Sequence, residues 1–321
     1  MKQNVAAVVV TYNRKQLLTE CINAILNQTV QPDKILVINN ASTDGTEVLF
    51  EKGNIFYQEN IHCVNMETNT GGSGGFYEGL KRVLHEEVMW AWIMDDDTIP
   101  EPDCLEKLLF ASDIVQKGTT SGKKASFFAS TIFGPDHEFM NVPNINLRES
   151  ENGYPYYYEY LDKTLLNIID ATFVSLLIRK SAIEQCGLPC KDYFIWGDDG
   201  EYTLRLTHYF GPAYMVGNSV AIHKRYGAKK LRIENFSDPD RIKMYHYYVR
   251  NNIINSLYYK KDRNTLTTVA KKVFQAFASL RQISKKYGLL KCYVVWKGTI
   301  EGFANYRKFK NYIDSQLKGN I

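Results

Sequence analysis

Three successive aspartates, Asp95-Asp96-Asp97, close an apolar run that ends at Met94. Adjacent carboxylates repel one another, and at the end of a buried strand they are partly stripped of water. A hard divalent cation relieves both costs, because it takes oxygen ligands readily. In an extended segment Asp95 and Asp97 project to one side, so the pair can share a metal or divide between metal and ribose. The plainer reading is an acidic loop capping the next helix. Two more polar clusters follow apolar runs: Thr11-Tyr12-Asn13-Arg14, and Asn39-Asn40-Ala41-Ser42-Thr43-Asp44. Ligands of open α/β sheets lie at the C-terminal ends of the strands, so all three clusters are expected at one site.

Asn69-Thr70-Gly71-Gly72-Ser73-Gly74-Gly75-Phe76 reads as a glycine-rich loop entering a helix, where N–H groups could meet a phosphate. A flexible turn accounts for it equally well. No Gly-Lys-Ser/Thr follows, and the loop comes after the third strand, so neither common nucleotide fingerprint is present. Trp196-Gly197-Asp198-Asp199-Gly200-Glu201-Tyr202 opens a helix with two carboxylates. Capping explains one aspartate and leaves the Trp-Gly beside it unexplained. His223 closes the short run Val220–Ile222 and, by itself, reads as a core histidine.

These groups need a scaffold, and the apolar pattern supplies one. Val5–Val10, Ile35–Ile38, Ile61–Met66 and Val88–Met94 read as buried strands. Between and after them come helical patterns: one carrying Leu17, Leu18, Cys21, Ile22, Ile25 and Leu26, a short one near 46–50, Phe76–Val83, and Glu101 to about Val115. Alternation at this spacing predicts βαβ units and a mostly parallel sheet flanked by helices. Ala125–Phe133 and Ile168–Arg179 are expected as further strands, residues 150–165 as a tyrosine-rich loop over the cleft, and Asp198–Tyr209 as a helix. From Ser237-Asp238-Pro239 onward the pattern is helical. Leu266, Val269, Val273, Ala276, Phe277, Leu280 and Ile283 recur at helix spacing, with Gly288 as a stop. The division expected is a catalytic domain over 1–236 and a basic helical extension over 237–321.

The chain has 321 residues, 45% of them apolar and 23% charged, the profile of a globular protein. No run is long and apolar enough for a transmembrane helix, and the first strand starts too early to leave room for a signal peptide. Six scattered cysteines fit reduced thiols and a cytoplasmic location. The net charge of +4 conceals an asymmetry, since residues 224–321 hold 22 Lys/Arg against 6 Asp/Glu. An acidic body with a basic tail suggests different partners for the two parts.

Taken together, the motifs over roughly residues 4–225 resemble the family 2 glycosyltransferases, inverting GT-A-fold enzymes that use nucleotide sugars. The landmarks are Val8-Val9-Val10-Thr11-Tyr12-Asn13-Arg14, Asn40-Ala41-Ser42-Thr43-Asp44-Gly45-Thr46, Asp95-Asp96-Asp97, and Asp198-Asp199 ahead of Glu201-Tyr202. The glycine loop, the Trp-x-Asp-Asp-x-Glu-Tyr segment and the later His look most like galactofuranosyltransferases; rhamnosyltransferases using dTDP-rhamnose share the first half. The resemblance implies a UDP-sugar donor held by Thr11, Arg14, Asn40, Asp44, Asn69, Asp95 and Asp96. It implies Mn²⁺ or Mg²⁺ on Asp95, Asp97 and His223, Asp199 as catalytic base with Asp198 orienting sugar hydroxyls, and Trp196 and Phe173 on the acceptor side. The implied acceptor is a glycan or a polyprenyl-diphosphate-linked sugar in bacterial surface polysaccharide synthesis. Many family members carry Asp where Asn39 and Asn40 stand. The polymerising galactofuranosyltransferases carry an aromatic pair where this chain has Thr172-Phe173.

Inverting transfer requires a carboxylate to take the acceptor proton and a cation to meet charge on the leaving diphosphate. Lys271, Lys272, Arg281, Lys285 and Lys286 flank an amphipathic stretch with Val273, Phe277 and Leu280, which predicts docking on an anionic membrane face. Packing on a second subunit is the competing expectation. A non-catalytic nucleotide-binding module would keep the asparagines and glycines but would not need Trp196-Gly197-Asp198-Asp199. Nucleic acid is not expected as a partner, because no binding motif accompanies the basic tail.

Overall fold

The first apolar run becomes β1 (Val5–Thr11), all seven residues buried. In the computed structural model, which describes residues 4–118, 124–227, 231–259 and 265–318, eight further strands join it. They are β2 (Lys34–Asn39), β3 (Ile61–Asn65), β4 (Trp90–Asp95), β5 (Thr98–Pro100), β6 (Phe127–Phe133), β7 (Leu165–Ile168), β8 (Leu176–Arg179) and β9 (Ala213–His223). The sheet order is β3-β2-β1-β4-β8-β6-β9-β5, with β7 also on β9. The half from β3 to β4 is parallel. Beyond it β8 runs antiparallel to both β4 and β6, and β6 is parallel to β9.

Parallel strands buried on both faces read as continuous apolar runs, and β1 shows why. Val5, Ala7 and Val9 face one core with Leu18 and Ile22 of α1 (Lys15–Leu26) and with Leu105 and Leu108 of a later helix. Ala6, Val8 and Val10 face the other core with Phe76, Leu80 and Val83 of α2 (Gly71–Val83). Truncating Leu80, which is fully buried, to alanine would cost about 2–5 kcal/mol.

The glycine-rich segment, expected as a loop, is the first half of α2. A Cβ on Gly75 would stand 2.4 Å from Val10, and one on Gly79 2.4 Å from Val8. These glycines let the helix lie directly on β1. The next helix, α3, runs Cys104–Gly118 rather than from Glu101. Residues 98–100 first pair with β9, and Glu101 N–H donates to Val220 O, which keeps the chain extended. The expected strand over 168–179 is two strands, β7 and β8. Between them Ala171 bonds through its N–H and C=O to the Thr203 hydroxyl, and Ser175 takes a positive φ of 53°. That backbone is satisfied by a helix side chain instead of a neighbouring strand. The tyrosine-rich segment packs away from the acid cluster: Tyr160 lies edge-on to Tyr214, and a Cβ on Gly118 would meet the Tyr160 hydroxyl at 2.8 Å.

Two more helices precede residue 210, α4 (Lys180–Cys186) and α5 (Asp198–Tyr209). The C-terminal part comprises α6 (Pro239–Tyr259), α7 (Thr265–Ala278), α8 (Gly288–Ala304) and α9 (Tyr306–Lys318). Gly288, expected to stop a helix, starts α8, with Tyr287 in the left-handed region before it. Leu280 and Ile283 lie beyond the end of α7, and the side chain of Leu266 lies outside the described residues. All six cysteines are free.

Candidate active site

Asp95, Asp97 and His223 meet because of strand pairing. Thr98 is paired with His223, and Lys224 N–H donates to Asp97 O at 2.7 Å, so the end of β9 folds back on the residues after β4. One ligand atom from each of Asp95, Asp97 and His223 lies within 4.8 Å of the others. Asp97 Oδ1 is buried with no hydrogen-bond donor aligned on it, while His223 Nε2 stands 3.1 Å away. On the far side of the ring, His223 Nδ1 is 2.9 Å from Asn141 Oδ1. With Nδ1–H donated to Asn141, Nε2 is the ring atom turned toward the carboxylate, placed either to bond Asp97 or to ligate a cation beside it. An outer carboxamide fixing the tautomer of a ligating histidine is common at metal centres. The residues fit a divalent ion.

The electrostatics follow from burial and neighbours. Desolvation pushes the Asp95 carboxyl well above its ordinary range, and Asp97 and Asp96 add repulsion. Asp96 is pushed up to about 6 by burial, although Arg14 and the Thr11 hydroxyl favour its charged form. Burial would also raise Asp97, but His223 and then Arg14 outweigh it and hold that carboxyl below the usual range. Arg14 bridges the cluster, 3.2 Å from Asp96 and 2.7 Å from Asp97.

A cleft of about 370 Å³ opens over Asp95 and Asp96, bounded by Thr11, Arg14, Asn40 and Asn69 on one side and by Ile195 and Trp196 on the other. Asn40 shapes the near wall: its amide donates to Asn69 Oδ1 at 3.1 Å and Gly71 O at 2.9 Å. A larger cavity, about 470 Å³ between α6, α7 and α8, holds none of the carboxylates singled out above.

The far wall is a strained turn. Phe194, Trp196 and Gly197 all have positive φ, at 64°, 61° and 91°. Such backbone persists only where its surroundings over-determine it, and here α6 does so. The buried Asn251 amide donates to Tyr193, Ile195 and Trp196 carbonyls, Asn255 donates to Gly197 O at 2.9 Å, and Arg250 donates to Asp192 and Tyr193 carbonyls. The turn delivers Asp198 and Asp199 as the first residues of α5. Burial raises both carboxyls. Asp198 rises further, with Asp199 beside it, and its charge also bears on Asp95. Asp199 is pushed up to about 6, with its Oδ1 accepting Gly200 N–H at 2.7 Å. Glu201 is structural: it pairs with Arg205 at 2.7 Å in full burial and accepts the Tyr259 hydroxyl.

Two sequence expectations are corrected here. Phe173, expected against the acceptor, is a core ring packed on Phe76 at 4.7 Å and on Tyr202 at 6.1 Å. Asp44 is not among the cleft residues; its carboxylate accepts from Lys15 N–H and the Thr46 hydroxyl and pins the start of α1. Several residues were not anticipated. Arg241 and Met244 of α6 reach the cleft, and Arg225 lies close enough to Asp97, Asp95, Arg14 and Arg241 to feel their charges. Their sequence signal was only the basic composition after residue 224.

The sequence profile described as glycosyl transferase family 2 matches residues 6–187. Galactofuranosyltransferase GlfT1 of Mycolicibacterium smegmatis is 31% identical over 204 residues, covering 63% of this chain and 65% of the relative. The protein of the same name from Mycobacterium tuberculosis is 30% identical over 99 residues, 30% of this chain and 31% of the relative. The matches thus span less than two thirds of either relative. Among solved structures, S. aureus TarS 1–349 in complex with UDP-GlcNAc superposes with a TM-score of 0.54 at 14% identity, covering 99% of this chain and 89% of that one. That likeness establishes the fold, a GT-A-type α/β sheet flanked by helices.

Proposed function

The chain belongs to glycosyl transferase family 2, and from that premise we propose that it is an inverting hexosyltransferase that moves a sugar from a nucleoside diphosphate donor to a glycan or polyprenyl-diphosphate-linked acceptor. The observation that supports the reading is that Asp95, which groups with Asp97 and His223, lines one cleft with Trp196 of the turn before Asp198-Asp199. The Asp198 charge is close enough to bear on Asp95, although Asp97, His223, Asp198 and Asp199 are not themselves among the residues lining that cleft. The donor we assign is UDP-galactofuranose, supported by the 31% identity to a galactofuranosyltransferase, and the setting is bacterial surface polysaccharide synthesis at the cytoplasmic side. In this reading residues 1–236 form the catalytic domain, and the basic helical region 237–321 completes its far wall through Asn251, Asn255 and Arg241.

Each residue then has a task. Asn40 and Asn69 hold the near wall of the nucleotide site, while Arg14 and Thr11 keep Asp96 in place beside it. Asp199, basic enough to accept a proton yet ionised at neutral pH, takes the proton of the acceptor hydroxyl. Asp198, which burial keeps protonated more readily, donates a hydrogen bond to a sugar hydroxyl. A pair of carboxyls separated in this way by their surroundings divides the acid and base roles. Asp95, Asp97 and His223 would hold Mn²⁺ or Mg²⁺, which when bound neutralises charge on the leaving diphosphate. Trp196 bounds the cleft on the side of the acceptor.

The test is a donor screen with purified protein and a short galactan acceptor. UDP-galactofuranose, UDP-galactopyranose, UDP-glucose and dTDP-rhamnose are compared with and without Mn²⁺. UDP release that depends on acceptor and is greatest with UDP-galactofuranose supports the assignment. Turnover of dTDP-rhamnose alone would move the enzyme to the rhamnosyltransferases, and acceptor-independent silence with every donor would remove the transferase reading.

A further inference from the structure

Residues 265–300 contain seven Lys/Arg and no Asp or Glu, and they form two helices with an uncovered outer face. On α8 the inward positions, including Gly288, Val294, Val295 and Gly298, are buried. Leu289, Tyr293, Trp296 and Ile300 recur at spacings of three and four residues, which places them in one stripe. Leu289, Tyr293 and Ile300 are each more than 60% exposed. On α7, Ala276 is buried and Phe274, about half a turn away around the helix, is 69% exposed. The two faces join where the Phe277 ring meets the Trp296 ring edge-on at 5.0 Å. Lys271, Arg281, Lys285 and Lys286 are exposed in the same segments. No described helix is long and apolar enough to cross a membrane.

A contiguous apolar face of this kind needs an occupant. A second copy of the chain would bring the four exposed cations Lys271, Arg281, Lys285 and Lys286 against their counterparts with no acid in these segments to offset them, and like charges across an interface are disfavoured. Exposed Phe, Leu, Ile and Tyr within a basic rim are instead the composition of a helix that lies in a membrane interface. We propose that the outer face of α7 and α8 docks the protein on an anionic lipid bilayer, with Phe274, Leu289, Tyr293 and Ile300 seated among the acyl chains and the lysines on lipid phosphates. The surface differs from the expectation drawn from sequence. Val273 is half-buried instead of outward, Lys272 donates to Asn252, and most of the apolar contact lies on α8. The inference does not depend on the donor sugar or on transfer itself.

The experiment uses the full chain and vesicles of phosphatidylcholine with or without phosphatidylglycerol. Wild-type protein is expected to sediment with the phosphatidylglycerol vesicles only, and less as salt is raised. Each basic residue near an anionic surface strengthens binding by about fivefold. The quadruple variant Lys271→Gln/Arg281→Gln/Lys285→Gln/Lys286→Gln should therefore bind at least a hundredfold more weakly. Phe274→Ser/Leu289→Ser/Tyr293→Ser should lose vesicle binding while keeping its melting temperature. In a separate Tyr293→Trp protein, acyl-chain-brominated phosphatidylglycerol should quench the new fluorescence. Failure of wild type to bind, equal binding by the serine variant, or absence of quenching would each overturn the proposal. So would a wild-type dimer in sedimentation that the serine variant dissolves, since the face would then be a protein interface.

Discussion

The side-chain amide of Asn251 donates to Trp196 O at 2.8 Å, and the same nitrogen reaches Tyr193 O at 3.0 Å. A helix from the basic C-terminal region thus holds the turn that precedes Asp198 and Asp199. The residue is fully buried, so removing its amide leaves carbonyls without donors.

Asn251→Ala should therefore act on geometry as well as on stability. Unsatisfied buried acceptors cost about 1–3 kcal/mol, visible as a lower melting temperature. Displacement of the carboxylates by even an ångström should lower kcat by about 10²-fold, while UDP affinity, which the proposed function assigns mainly to the opposite wall, should stay within a fewfold. Stopped-assay kinetics and UDP calorimetry on the same preparation separate the two effects. A variant with reduced stability but normal kcat below its melting point would leave Asn251 with a packing role only.

Asp199 gives a pH signature. Its carboxyl is raised to about 6, and as the proposed base it must be deprotonated, so kcat/KM should fall about tenfold per unit below pH 6 and level off above it. It should decline again above about pH 8 as Asp198, raised to about 8, loses the proton it is proposed to donate. Asp199→Asn should lose about 10²–10⁴-fold in kcat, with donor affinity little changed and the acidic limb abolished. Should Asp198→Asn be the inactive variant and Asp199→Asn remain active, the roles within the pair are reversed.

The proposed metal site at Asp95, Asp97 and His223 is testable without turnover. Because Asp97 Oδ1 is buried without an aligned donor, filling the site should stabilise the fold. At a hundredfold excess over its dissociation constant, Mn²⁺ would add about 2.7 kcal/mol. Differential scanning fluorimetry should show a rise for wild type, reversed by EDTA, and none for Asp97→Ala. An equal rise in both proteins would place the ion elsewhere, and full transferase activity in EDTA would remove the requirement for it.

What could be read from sequence was governed by locality. Val5–Val10 is legible because a strand buried on both faces is apolar at every position, and Asp95-Asp96-Asp97 is legible because it ends such a strand. The segment after Ile168 was misread because Ala171 finds its partners on the Thr203 side chain, a contact 32 residues away that leaves no local trace. Phe173 was misplaced because an apolar residue beside a site and one beneath it have the same sequence pattern. Asn251 and Asn255, one turn apart on α6, resemble any solvated helix face until the strained turn they hold is in view. The glycines of α2 were legible as unusual, but their purpose, contact with Val8 and Val10, appears only when helix and strand are packed together.

Arg225 supplies the last prediction. Burial disfavours its charged form, Arg241 and then Arg14 repel it, and Asp97 and Asp95 only partly compensate. No hydrogen bond to its guanidinium is seen among the described residues. A cation placed at a cost next to two other arginines is suited to meet an anion, and planar guanidinium groups bind phosphate oxygens bidentately. If the donor diphosphate is that anion, Arg225→Met should weaken UDP binding by roughly 10- to 100-fold, the worth of a charge-assisted hydrogen bond of about 1.5–3 kcal/mol. The donor KM should rise more than kcat falls. The same change relieves repulsion in the free protein, so its melting temperature without nucleotide should hold or increase. That opposite movement of stability and affinity distinguishes a binding arginine from a structural one. UDP affinity within twofold of wild type, measured by calorimetry at fixed ionic strength, would exclude Arg225 from the diphosphate site.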